Sequence, residues 1–109
     1  MKKLEYWKFC LIIISLVLVS IHIQAQNGWT QITDMPTPRC WHSTCASGGK
    51  IYAFGGFIDL VGLTTVEEYN PETDIWKKVA DMPTGRQLLT ASEVNGKIYV
   101  IGGAIGKFG

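Results

Sequence analysis

Gly49-Lys50-Ile51-Tyr52-Ala53-Phe54-Gly55-Gly56 is met again, 47 residues later, as Gly96-Lys97-Ile98-Tyr99-Val100-Ile101-Gly102-Gly103. Working outward from this stretch, Arg39 matches Arg86 at the same spacing, Asp34-Met35-Pro36-Thr37 matches Asp81-Met82-Pro83-Thr84, and Trp29 matches Trp76. No gap is needed anywhere, so the chain carries a repeat of about 47 residues, one copy over 29–75 and a second over 76–109. A fixed period of this length marks an array of stacked supersecondary units, each unable to bury its apolar surface alone.

Within one period the local signals are those of short strands separated by turns. A first strand is expected over 41–47. It ends at Gly48-Gly49, matched by Asn95-Gly96, pairs that accept the positive φ of a two-residue type I′ hairpin. The returning strand, 50–55, is apolar on both faces, Ile51 and Ala53 on one and Tyr52 and Phe54 on the other. It is therefore expected to lie between neighbouring sheets. A third strand over 63–69 stops at Asn70-Pro71-Glu72-Thr73-Asp74, where proline fixes a turn. A fourth, 75–80, stops at Asp81-Met82-Pro83 because proline cannot donate to a ladder. The stretch Trp29-Thr30-Gln31-Ile32-Thr33 aligns with this fourth strand and has no first three strands before it, so it reads as an orphan outer strand.

The first 25 residues have a different composition. Lys2, Lys3 and Lys8 stand against Glu5 alone, and the apolar run 9–21 that follows is broken only by Ser15 and Ser20. A run of 13 residues is shorter than the roughly 17 to 25 that cross a bilayer as a helix. It leads into Ile23-Gln24-Ala25, a tolerable cleavage site, so residues 1–25 read as a signal peptide and 26–109 as an exported chain, extracellular or periplasmic, with no membrane span after cleavage. Removing Lys2, Lys3, Lys8 and Glu5 from ten cations and nine anions leaves seven against eight, a net charge of −1. That leaves no basic footprint for nucleic acid. Cys40 and Cys45 on one extended segment would lie ~16 Å apart, beyond the ~7 Å reach of a disulfide.

Few residues suggest chemistry. Cys40-Trp41-His42-Ser43-Thr44-Cys45 has metal-ligand residue types, but His42 and Cys45 fall on opposite faces of an extended strand. The second copy has Gln87, Leu89 and Ser92 in their places, so no metal site is expected. Glu67 and Glu68 are adjacent, point to opposite faces and cannot act as a paired acid and base; one is expected toward solvent. Neither a phosphate loop, nor a G-x-S-x-G elbow, nor H-E-x-x-H is present, and no catalytic set and no cofactor are expected.

Four strands per 47 residues, the double glycines Gly55-Gly56 and Gly102-Gly103, and Glu67-Glu68-Tyr69-Asn70-Pro71 followed by Trp76 resemble the kelch repeat. The resemblance implies an all-β fold, a β-propeller of four-stranded blades around a channel with each blade's first strand innermost. Here it would comprise one complete blade, the orphan outer strand and half of a second blade. Propellers take typically four to eight blades, so further blades would be needed to close the ring, and the chain would be a fragment of a longer propeller. Gly55, Gly56, Tyr69, Trp76, Gly102 and Gly103 would be structural motif residues, the glycines allowing close backbone approach. Kelch propellers bind through loops at one mouth of the channel, just after the recurrent arginine and just after the double glycine. In this chain those are Cys40, Trp41 and Phe57, then Gln87, Leu88 and Ala104. Arg39, Trp41, Phe57, Arg86 and Gln87 are accordingly the candidate ligand contacts, although each recurrent arginine is most simply expected to bond carbonyls or a carboxylate between blades. The expected function is a secreted binding module for protein or glycan. The alternative is part of a carbohydrate-active enzyme resembling kelch-type sialic-acid mutarotases or galactose oxidases.

Overall fold

The computed structural model of the chain describes residues 28–106. The leader expected at 1–25 lies outside the described residues. Those described are all β and irregular, and no helix among them is long and apolar enough to cross a membrane.

The first repeat forms one antiparallel four-stranded sheet from β1 (Ser43–Ser47), β2 (Lys50–Phe54), β5 (Val66–Asn70) and β6 (Ile75–Lys78), in that spatial order. The second contributes a two-stranded sheet, β7 (Thr90–Val94) with β8 (Lys97–Ile101). The turns are those the sequence dictates. Gly48 and Gly49 have φ of 57° and 74°, and Asn95 and Gly96 have 52° and 76°. Such left-handed pairs suit the right-handed twist of the strands they join. Registers repeat with the period as well: Ser43 faces Phe54 in the first sheet, and Thr90 faces Ile101 in the second.

One element is additional to those expected from the sequence. Between β2 and β5 the chain makes a miniature hairpin of β3 (Phe57–Ile58) and β4 (Val61–Gly62). Its turn, Asp59-Leu60, has positive φ at both residues, 49° and 65°. Aspartate tolerates that region but leucine is disfavoured there, so the usual turn signal was missing. The expected orphan strand is also unpaired: no strand lies within 28–42 and no ladder among the described residues includes 29–33. Thr33 is instead fixed at one point. Its amide and hydroxyl donate to the Asp74 carboxylate at 2.9 Å each, and its carbonyl accepts Trp76 Nε1 at 2.9 Å.

The two sheets pack face to face. Phe54, Val66 and Leu89 form the buried centre, flanked by Cys45, Tyr52, Val79, Met82, Ala91, Ile98 and Val100. Main-chain bonds stitch the seam: Gly56 N donates to Arg86 O at 3.0 Å and Leu88 N to Trp41 O at 2.9 Å. Ala91 N adds a bond to Ser43 Oγ at 3.0 Å. The expectation that β2 is covered on both sides needs correcting. Its Tyr52 and Phe54 face meets the second sheet, whereas on the other face Ala53 is sealed but Ile51 is 38 % exposed, because no further sheet lies there among the described residues.

Candidate binding site at one end of the sheets

β1 begins, β2 finishes and β5 begins at the same end of the first sheet, and β7 and β8 follow suit in the second. The loops bearing all five candidate ligand contacts therefore gather at that end. A pair of isolated bridges recurs there at the repeat spacing, Cys40 with Phe57 and Gln87 with Ala104. Each bridge ties the segment after the arginine to the segment after the double glycine. The glycines are required by this closeness. Gly56 has φ of 101°, and a Cβ on it would stand 2.7 Å from the Cys40 carbonyl oxygen and 3.0 Å from His42 Cβ. Gly103 meets the Gln87 carbonyl and Leu89 in the same way.

Immediately after each bridge comes a large apolar residue in the left-handed region. Trp41 and Leu88 both have φ of 54°, and they are 51 % and 59 % exposed. A bulky side chain in that conformation is strained by roughly 1–3 kcal/mol, and such outliers cluster at ligand clamps. The Trp41 carbonyl accepts the Leu88 amide, which fixes the first outlier to the second. The Trp41 ring stacks on Phe57, with centroids 5.4 Å apart and planes 26° from parallel. The sequence singled out both rings; that they rest on one another became visible only once the bridge was placed. Cys40 donates its thiol to the Phe57 carbonyl at 3.4 Å, and it and Cys45 are free thiols.

The remaining candidates divide. The Arg39 side chain is 0 % exposed and its donors are spent inside the first repeat. Nη1 reaches the carbonyls of Gly55 at 2.8 Å and Thr65 at 3.0 Å, Nε reaches that of Thr37 at 3.3 Å, and Nη2 reaches Glu67 Oε2 at 2.7 Å. It bonds carbonyls and a carboxylate as expected, but within one sheet and its loops rather than across the seam. Gln87 is 1 % exposed, so a ligand outside has no access to its side chain; Oε1 is buried without a hydrogen-bond partner. Arg86 is half-buried and donates Nη1 to the Gly102 carbonyl at 2.9 Å, the equivalent of the Arg39–Gly55 bond. Neither glutamate of the adjacent pair faces solvent. Glu67 lies under Arg39, and Glu68 is 6 % exposed between Lys50 at 3.0 Å and Lys77 at 3.1 Å. The hydrogen bond from Lys50 holds the Glu68 carboxyl below its ordinary range. Burial, then the charge of Arg39, lowers the His42 pKa. At the far end, Tyr69 donates its hydroxyl to Asp74 at 2.9 Å and packs on Trp76 with centroids 5.1 Å apart.

A family model described as the kelch motif matches residues 38–83, the whole of the four-stranded sheet and the loops around it. This stretch of the chain is a kelch repeat. Kelch-like protein 15 from Homo sapiens is 36 % identical over 55 residues, covering 44 % of this chain and 9 % of that protein. Kelch-like protein 33 from Homo sapiens is 37 % identical over 51 residues, 47 % of this chain and 10 % of that one. Among solved structures, that of YjhT superposes with a TM-score of 0.64 at 34 % identity, over 72 % of this chain and 25 % of the other. The kelch chain thus spans about a tenth of the length of these curated relatives and a quarter of YjhT. Its four-stranded sheet is one kelch propeller blade, and β7 with β8 is the inner pair of the next.

Proposed function

We propose that this kelch chain is part of a secreted binding module that holds a protein or glycan ligand at the end of the blades where Trp41 and Phe57 lie. The observation that carries this reading is the aromatic pair: two stacked rings, one of them half exposed, on a backbone pinned in a strained conformation by a bridge and by the Leu88 amide. A rigid, exposed aromatic surface loses little conformational entropy on binding, and aromatic anchors of this kind dominate interface energies. Loops on a rigid β scaffold are where such sites are built. The export part of the proposal rests on residues 1–25, a positively charged start followed by a 13-residue apolar run and Ala25.

The test is binding of the exported protein, its amino terminus read as Gln26, to a glycan array and to a displayed peptide library. Trp41→Ala and Phe57→Ala are each expected to weaken the selected ligand at least tenfold, about 1.4 kcal/mol, while a substitution at the far turn, Thr73→Ala, leaves binding unchanged. Undiminished binding by both aromatic variants removes the site from this end of the blades.

A further inference from the structure

The β7–β8 hairpin turns on Asn95-Gly96, where the β1–β2 hairpin has Gly48-Gly49. The backbones match, with φ of 57° and 74° in the first turn and 52° and 76° in the second. The chemistry does not. Asn95 brings a side-chain carboxamide, and Gly96 leaves its own backbone nitrogen unshielded, since a Cβ there would meet nothing within 4 Å. Both residues are exposed. So are Gly48 and Gly49, although all four strands of their sheet are in place, so exposure belongs to the turn itself and not to the size of the sheet behind it.

A second residue changes along with the asparagine. Glu93 stands where the first repeat has Ala46, and its Oε1 accepts the Gly96 amide. The ladder closes on the Val94–Lys97 pair, which leaves the Gly96 amide over for a side chain. That nitrogen is also the nucleophile in the breakdown of an asparagine followed by glycine, asparagine being among the thermolabile residues.

We propose that Asn95 is a site of spontaneous deamidation and isomerisation, and that Glu93 restrains it by holding the Gly96 amide. Gly96 N gives up its proton to solvent and bonds to Asn95 Cγ; the Cγ–Nδ2 bond breaks and ammonia leaves, closing a succinimide ring. Water then adds to either imide carbonyl, and the ring opens to aspartate or to isoaspartate with no change of oxidation state. The Glu93 carboxylate opposes the first step in two ways. Its hydrogen bond must break before the nitrogen can turn toward Cγ, and its negative charge disfavours deprotonation of that nitrogen. The first repeat has neither the labile group nor the restraint. Aspartate would keep the turn, because Asp-Gly suits the same geometry, but would set a second negative charge beside Glu93. Isoaspartate routes the main chain through Cβ and so lengthens a turn that has no slack. Ile98 and Val100 on the returning strand pack against the apolar centre, so conversion loosens the second sheet where it meets the first.

The full chain is incubated in mildly alkaline buffer, folded and in urea, and followed by released ammonia and by mass spectrometry of the tryptic peptide 87–97, whose aspartyl and isoaspartyl forms separate by chromatography. Conversion at Asn95 is expected in both samples, slower in the folded one. Glu93→Ala with unchanged circular dichroism should speed the folded reaction roughly tenfold, the rate equivalent of one hydrogen bond to a charged group. Should that variant unfold, the first repeat offers the same comparison: Gly48→Asn is expected to convert faster than Asn95, and Ala46→Glu added to it to restore the slower rate. No conversion of the folded chain by the time the denatured chain has converted completely, or no effect of the glutamate at either turn, overturns the proposal.

Discussion

Arg39 shows how much one side chain does in this fold. It gathers the carbonyls of Thr37, Gly55 and Thr65 and neutralises Glu67, joining the entry loop, the double glycine and β5 at a point from which water is excluded. Breaking a buried pair by removing one partner leaves an uncompensated charge and costs roughly 3–5 kcal/mol. Arg39→Met strands the Glu67 carboxylate and also removes the three carbonyl contacts, and is therefore expected to lower the stability of the chain by about that amount in urea denaturation. Glu67→Gln strands the guanidinium in turn but leaves its three carbonyl acceptors in place, and should cost less. Equal losses in the two variants would show that the stranded charge and not the carbonyl contacts sets the cost. The arginine was legible in the sequence because it recurs at the repeat spacing. Its partner was not. Adjacent glutamates on a strand point to opposite faces whatever the fold, and which of them meets Arg39 depends on the pairing of Glu67 with Ala53, a register that composition does not encode. Gln87 failed to be read for a related reason: its counterpart Cys40 is exposed, and nothing local says that the same place in the second copy is closed.

At the scale of elements, strands were legible where a turn declared itself. Gly48-Gly49 and Asn95-Gly96 announced their hairpins, and Pro71 and Pro83 stopped the strands before them, so β1, β2, β5, β6, β7 and β8 stand where the sequence places them within a few residues. The β3–β4 hairpin was hidden because its turn uses a residue that resists the conformation. Leu60 has φ of 65° and is 60 % exposed, so it contributes strain and little packing. A left-handed conformation costs a non-glycine residue roughly 1–2 kcal/mol, while glycine's greater freedom in the unfolded chain takes back roughly 0.4–1 kcal/mol. Leu60→Gly should then stabilise the chain by about 0.5–1 kcal/mol, read as a higher denaturation midpoint with unchanged slope. A lower midpoint would mean that Leu60 has a packing role which its exposure conceals. The opposite substitution at Gly56 has no such freedom, since the Cys40 carbonyl occupies the space a side chain needs.

At the scale of the molecule, the apolar centre among the described residues is small, Phe54, Val66 and Leu89 with a partly buried fringe, so ionisable groups weigh in its stability. Hydrogen bonds from Thr33 and Tyr69 lower the Asp74 pKa from 3.8, and those from Lys50 and Lys77 lower that of Glu68 from 4.5. Such carboxylates stabilise the fold above their unfolded values and lose that contribution as pH falls through their folded ones. His42 is lowered from 6.5, chiefly by burial, so below that pH the unfolded chain binds its proton more readily and acidification again favours unfolding. On the alkaline side, burial raises Tyr52 and Tyr69 above 10.0 and the Glu68 hydrogen bond raises Lys50 above 10.5. An unfolded tyrosine then ionises before the folded one, and an unfolded lysine gives up its proton first, so each linkage destabilises as pH rises past the unfolded value. The lowered groups thus all destabilise the fold on acidification and the raised ones all destabilise it on the alkaline side. The urea midpoint is expected to form a plateau between about pH 6.5 and pH 10 and to fall on both sides, in two steps on the acid side as His42 and then the carboxylates titrate. Replacing His42 by glutamine should remove the upper acid step and leave the lower one, because Asp74 and Glu68 lie on β5 and the turn after it, away from the segment that carries His42. A single acid step at the carboxylates, already present in the unsubstituted chain, would show that His42 is as free to take up a proton in the folded blade as in the unfolded chain.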